Sequence, residues 1–392
     1  MLSPDNVSNR VVMLLSNAFR PDTRVLKEAQ SLQTSGYDVT ILCWDRERDF
    51  APEEILPSGV RVIRIQSVRS NYGIGFRQLL RLPRFWLAII PLLNRLKPDL
   101  VHCHDFDTLP AGLIWGRLNN RPVIYDAHEY YAELVRPRLR GLGGRFIYHT
   151  IRYIERFAAR LASGVITVDE ILGAIYRKLN SRVIIVGHYP TLQGFQTPSQ
   201  IFSSDQLTLI YVGRLSADRG LFTYLEVLQH LRGKGIPARL ILAGTFTPAG
   251  EGETFWHSSK GQDGNIDWLG WITYDQIPDL LRKADVGLVI LKSEPRYVAA
   301  LPVKLFEYMA AGLPVVASNF PATASVVQAV NCGALVDPET DPALIAEIIQ
   351  GWWSNPEIPR MIGYRGFQAA RQTYNWDNIA RQIVHLYQAV LS

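Results

Sequence analysis

Apolar runs of strand length alternate with stretches of helical spacing along most of this chain. Residues 10–15 read as a buried strand, a polar turn through Pro21 and Asp22 follows, and 23–33 carry helical spacing with Val25, Leu26, Ala29 and Leu32 apolar. Gly36 ends that helix. Further short apolar strands are expected at 39–43, 60–65, 100–103, 122–125, 165–168 and 183–186, separated by helices, which is the rhythm of βαβ units. A polar stretch at 191–205, rich in Ser, Gln and Pro, reads as a linker. The pattern then restarts, with strand 207–212, helix 221–232, strands 239–243 and 266–269, helix 274–284, strand 286–290, helix 303–311 stopped by Gly312, strand 315–317 and later helices across 342–391. The expectation is two doubly wound α/β domains, 1–198 and 199–373, with a last helix at about 374–392 packing back onto the first. Ligands of such open sheets bind beyond the carboxyl ends of the strands, so the polar loops there, lining a cleft between the domains, are where chemistry is expected.

The chain has 392 residues, too many for one ordinary core and suited to two. With 47% hydrophobic and 20% charged residues it has the composition of a folded protein. Cys43, Cys103 and Cys332 are far apart in sequence, which argues against a disulfide framework or a structural zinc site and fits a reducing compartment. No signal peptide is expected, because 11–15 is only strand-length and Asp5 precedes it. The most apolar stretch, 85–93, is shorter than the roughly 20 residues that span a bilayer. A cytoplasmic protein is the expectation.

Charge changes this picture. Up to Pro198 there are 26 basic and 18 acidic residues, a net +8, whereas the remainder carries 15 and 18. Residues 61–97 hold eight basic side chains and no acidic one, and 136–160 hold seven arginines against Glu155 alone. Such a positive face suits anionic lipid or a phosphorylated acceptor, and nucleic acid is not expected as a partner. Within 76–97, Leu79, Leu80, Leu82, Phe85, Trp86, Leu87, Ile89 and Ile90 are mixed with Arg77, Arg81, Arg84 and Arg95, an interfacial composition. The regions 74–97 and 136–145 are therefore expected to rest on the inner face of the plasma membrane.

Neither set of strands opens with the G-x-G-x-x-G turn of dinucleotide dehydrogenases. Instead, Gly213-Arg214-Leu215-Ser216-Ala217-Asp218-Arg219-Gly220 places two guanidinium groups in one strand-to-helix turn. Guanidinium forks pair with phosphate oxygens, and a helix N-terminus adds partial positive charge, so this turn suits a diphosphate. In the segment from Leu301 to Pro314, Pro302 suits the helix start and Gly312 its end. The free amides of Val303 and Lys304 are expected to point at phosphate, and Glu307, one turn further in, to accept from ribose hydroxyls. A surface pair of Glu307 with Lys304 is the plainer alternative.

Three motifs together carry a resemblance: the turn from Gly213 to Gly220, the P-x-K-x-F-E-Y-M-A-A-G-x-P-V-V-A-S run from Pro302 to Ser318, and P-D-x-R-V-x-K-E-A from Pro21 to Ala29. Over nearly its whole length the chain resembles the retaining glycosyltransferases of family 4, which have the GT-B fold of two Rossmann-like domains facing each other across a cleft. The resemblance implies a hexosyltransferase acting on a nucleotide sugar, UDP-linked first and GDP-linked second, and a saccharide or lipid-linked acceptor in cell-surface polysaccharide or glycolipid synthesis. It assigns Gly213, Arg214, Arg219, Leu301, Pro302, Val303, Lys304 and Glu307 to the donor, with Trp271 near the base. Arg214 and Arg219 would neutralise the leaving diphosphate without a metal or other cofactor.

Tyr125-Asp126-Ala127-His128-Glu129 resembles the family's D-x-H-E turn. His128 is the candidate beside the reacting sugar, as a neutral imidazole that hydrogen-bonds a donor hydroxyl or accepts charge near the leaving group, with Asp126 or Glu129 orienting it. Arg24, in the opening turn, is expected to face the cleft. His102 and His104 share one face of a strand, but the nearby carboxylates, Asp105 and Asp107, fall in the turn after it, so no metal site is expected. In the family's E-x7-E pattern a first glutamate precedes Glu307 by eight residues, and Ala299 stands there, which implies a different sugar contact or a weakened enzyme. A non-catalytic sugar-nucleotide-binding relative and a sugar-nucleotide epimerase are the rival readings.

Overall fold

A computed structural model of the chain describes residues 9–20, 22–70, 81–136, 139, 141–198, 202, 205–258, 263–298 and 300–392. Ala299 and most of the expected interfacial stretch before Arg81, Arg77 included, lie outside the described residues. The chain forms two compact units, Met1–Gly187 with Ile379–Ser392, and His188–Asn378. The first division therefore falls just ahead of the polar stretch at 191–205.

The first unit contains β1 (Arg10–Leu15), β2 (Asp38–Trp44), β3 (Glu53–Ile55), β4 (Arg61–Ile65), β5 (Leu100–His104), β6 (Val123–Ala127), β7 (Gly164–Thr167) and β8 (Val183–Ile185). They lie in the order β3-β4-β2-β1-β5-β6-β7-β8, parallel except for β3, which runs antiparallel to β4. β1 sits between β2 and β5, with Leu14 opposite Leu42 on one side and Cys103 on the other. Both faces are covered by helices, which is why these strands are nearly continuous apolar runs. The strand order reverses between β1 and β5, so loops at their carboxyl ends splay apart and leave room for a site. Asp22 accepts from the Val25 amide at 3.2 Å and starts the helix Thr23–Thr34 there.

The helix Leu82–Leu96 covers the described part of the interfacial stretch. Its apolar residues Leu82, Phe85, Ile89 and Leu93 are buried, and Phe85 stacks on Trp44 with centroids 4.6 Å apart. That stripe packs into the core, while Leu87 is 72% exposed beside the exposed Arg84. Among the described residues no helix is long and apolar enough to cross a membrane.

The second unit contains β9 (Leu207–Val212), β10 (Ala238–Ala243), β11 (Ile266–Gly270), β12 (Val286–Val289), β13 (Val315–Ser318) and β14 (Gly333–Val336), ordered β11-β10-β9-β12-β13-β14. All of these pairs are parallel. Here the order reverses between β9 and β12. The helix Val303–Ala311 stops as its sequence implies, at Gly312 with φ +74°, whose amide bonds the Met309 carbonyl at 3.0 Å. The helix Trp376–Leu391 begins in the second unit and continues into the first, where Ile383 and Tyr387 are fully buried.

Candidate active site

In the second unit, the turn after β9 and the start of the helix Val303–Ala311 are built as neighbours. The helix is pinned to the strand by Tyr308, whose hydroxyl accepts from the Val212 amide at 3.0 Å. The turn is fastened to the loop after β10 by Gly213 N–H to Ala243 O at 2.8 Å, Leu215 N–H to Thr245 O at 2.9 Å and Thr247 N–H to Leu215 O at 2.8 Å. Gly220, at φ +80°, lies so close to Ile290 that a Cβ would stand 2.1 Å from its carbonyl oxygen. Only glycine fits there.

Within this frame Arg214 is exposed, beside a cavity of about 360 Å³ lined by Arg214, Ser216, Asp218 and Glu251 among others. Arg219 is half-buried; its Nε donates to Tyr297 Oη at 3.1 Å, and that hydroxyl donates to Asp218 Oδ2 at 2.7 Å. The amide of Ala217 is taken by Glu251 at 2.8 Å. Pro302 proves to be the residue flanking the helix Val303–Ala311, with φ −72° and ψ 127°, and no side chain caps the helix start. The amides of Val303 and Lys304 are thus left to an external acceptor. Leu301 and Pro302 are half-buried, Val303 is exposed, and Glu307 is buried one turn in. The surface pair of Glu307 with Lys304 is not what forms, because both side chains are buried. Trp271 follows Gly270 and is 73% exposed, so its ring is a surface plate rather than core.

Lys304 has a side-chain role that the sequence reading missed. It is 8% exposed, and its Nζ donates to Tyr211 Oη at 2.8 Å while lying 4.0 Å from the ring centroid. Burial and then the Arg219 charge push its pKa down to about 7, opposed by Glu307.

In the first unit, Asp126 at the end of β6 is the hub of a buried ionic cluster. Arg24 NH2 donates to Asp126 Oδ1 at 2.7 Å and its Nε to Glu28 Oε1 at 2.9 Å. Asp126 Oδ2 lies 3.0 Å from His128 Nε2 and 3.2 Å from His104 Nδ1. The His104 ring stacks on His102, whose Nδ1 shares a 2.7 Å hydrogen bond with Tyr387 Oη. Burial works against the charge of Asp126, but Arg24 and then His128 hold it well below the usual carboxylate range. Burial and the neighbouring Asp126 push Glu28 upward.

Arg24 is buried and committed to Glu28 and Asp126. Two readings change here. His128 is not neutral near pH 7, because Asp126 more than offsets the cost of burial and raises its pKa to about 9. The carboxylates beside the His102–His104 pair are Asp126 and Glu28, brought from the next strand and the first helix rather than from the local turn. These four residues have ligand atoms close enough to surround a cation, and the Arg24 guanidinium lies against both carboxylates. Asp126 is the residue that holds His128; Glu129 is exposed. Glu28 and Tyr387 could not be assigned from sequence, since only the fold places a first helix and a last helix against β5.

The family models "Glycosyl transferases group 1" and "Glycosyltransferase Family 4" match residues 195–369 and 22–187. A GDP-mannose-dependent alpha-(1-6)-phosphatidylinositol dimannoside mannosyltransferase of Mycobacterium tuberculosis is 25% identical over 347 residues, 84% of this chain and 83% of that one. Among solved structures, sucrose-phosphate synthase of Thermosynechococcus elongatus superposes with a TM-score of 0.72 at 19% identity, covering 97% of this chain and 98% of that one. HepE of Anabaena in complex with UDP gives 0.68 at 15% identity, over 97% and 99%. With two parallel-sheet α/β units, an arginine-bearing turn beside an uncapped helix start, and family models matching both units, the chain belongs to glycosyltransferase family 4, transferases of the GT-B fold.

Proposed function

We propose that this chain transfers a hexose, with retention and without a metal, from a nucleoside diphosphate sugar to a saccharide or lipid-linked acceptor in the synthesis of a cell-surface polysaccharide or glycolipid. The observation that carries the reading is the pairing of the arginine turn after β9 with the uncapped amides of Val303 and Lys304, at the carboxyl ends of strands flanking the reversal in strand order. Arg214 and Arg219 stabilise the diphosphate as the bond from the sugar's anomeric carbon to phosphate breaks, and the bond to the acceptor oxygen forms. The acceptor's proton passes to the departing phosphate. Glu307 accepts from the ribose, and Trp271 offers its exposed ring to the base. His128 serves the reacting sugar as an imidazolium donor rather than as a base.

UDP and GDP are the bases to try first, since HepE was solved with UDP and the mycobacterial relative is named for GDP-mannose. Thermal shifts with UDP, GDP, ADP and their sugar conjugates test the assignment. Ligand at 100 times its Kd contributes about 2.7 kcal/mol, a rise in Tm of a few degrees. The rise should be selective for one base and lost in both Arg214→Ala and Glu307→Ala. A flat response to every nucleotide would remove the donor assignment.

A membrane-held acceptor is supported by the second of the two expected regions, 136–145, and the helix that continues from it. The helix Gly141–Leu161 exposes Leu142, Phe146, Tyr153 and Phe157, which fall on one face, beside Arg145, Arg152 and Arg156. A cavity of about 860 Å³ at its start is lined by Arg136, Arg145, Tyr148, His149 and Arg152, together with Glu133, a setting for an anionic head group.

A further inference from the structure

We propose that the side chain of Lys304, and not only its amide, is a ligand of the donor's diphosphate, and that donor binding takes up one proton at this amine. The inference rests on the nucleotide reading above, which uses the backbone amide of Lys304, and adds to it the side-chain amine. Nζ lies beside the first residue of the arginine turn, 3.0 Å from where a Cβ on Gly213 would stand, and Gly213 itself sits at φ +132°. Its hydrogen bond goes to a neutral hydroxyl, that of Tyr211, and its other attraction is to the face of the same ring. A buried ammonium held in this way has its charge only partly compensated, and a phosphate oxygen would complete it.

The groups around the amine do not compete for the proton. Tyr211 on β9 is pushed up to about 12 by its burial, and Tyr224 and Tyr308 are raised well above the ordinary tyrosine value for the same reason. Burial, followed by the hydrogen bond to Asp218, raises Tyr297. Arg219 is permanently charged, Asp218 is held by Ser216 and Tyr297, and Glu307 on the same helix is the carboxylate that favours the ammonium. With its pKa near 7 before binding, Lys304 is about nine-tenths uncharged at pH 8, and a bound diphosphate beside it restores the charge. The nucleotide's own phosphate does not confuse the measurement, since such a group loses its last proton near pH 6.

Calorimetric titration of the intact protein with UDP and GDP at pH 8, in buffers of different ionisation enthalpy, counts the protons. The expected result is uptake of close to one proton per nucleotide, falling towards about half at pH 7, and its disappearance in Lys304→Met along with at least a tenfold weaker Kd. Should Lys304→Met fail to fold, Lys304→Arg, charged at every pH tested, should bind with no uptake. Nucleotide binding without uptake, or uptake that persists in a folded Lys304 variant, overturns this proposal and leaves the donor site standing. Binding of neither nucleotide overturns both.

Discussion

Two of the candidate cations of this protein depart from their ordinary protonation in opposite directions. Lys304 is buried without a carboxylate in contact and is pushed down, whereas His128 leans on the ionised Asp126 and is raised to about 9. The unfolded value of histidine is about 6.5, so the His128–Asp126 pair contributes stability that is complete below pH 6.5 and is lost as pH rises through 9. If the imidazolium is the working form, kcat should fall above about pH 9. His128→Asn should lower kcat by about 100-fold, as removal of a transition-state donor does, and should abolish that basic limb. A limb that survives in His128→Asn would show that another group sets it. In sequence, the D-x-H-E turn marked His128 and Asp126, but not the proton between them, because the charge state depends on Arg24 and His104, which arrive from elements distant in the chain.

At the scale of elements, periodicity located most of what the fold contains. β1 and β9, and the helix Val303–Ala311, begin and end where their apolar runs and terminal residues imply. β3 was not legible, since Glu53, Glu54 and Ile55 are all exposed and show no alternation. The helix Leu82–Leu96 is more instructive. An apolar stripe flanked by arginines has the same pattern whether it meets lipid or core, and only the stacking of Phe85 on Trp44 decides between them. The helix Gly141–Leu161 has the opposite outcome: Leu142 and Phe146 are 84% and 73% exposed. Co-sedimentation with vesicles containing anionic lipid should therefore be abolished by Leu142→Ser with Phe146→Ser and left intact by Arg84→Glu. Equal binding by both variants would discard this helix as the lipid face.

For the molecule as a whole, the chain's end matters as much as its beginning. Tyr387 is fully buried in the first unit, bonded to His102 and packed edge-on to Tyr37 at 5.6 Å, and Leu386 packs on Gly164. Tyr387→Phe keeps the ring and strands His102 Nδ1 in the interior, which should cost about 1–3 kcal/mol in a denaturant titration. An unchanged midpoint would mean that the histidine finds another partner. The same arrangement bears on how such a protein can diversify. The second unit, which holds the arginine turn and the helix Val303–Ala311, is an insert within the first, with the first unit's chain resuming at Ile379. A gene that acquired a new donor specificity by recombination would thus need two crossovers, near codons 187 and 379, to exchange that unit cleanly. A single join after the first would bring in a foreign tail for the pocket around His102, leaving its fit to be found anew by mutation.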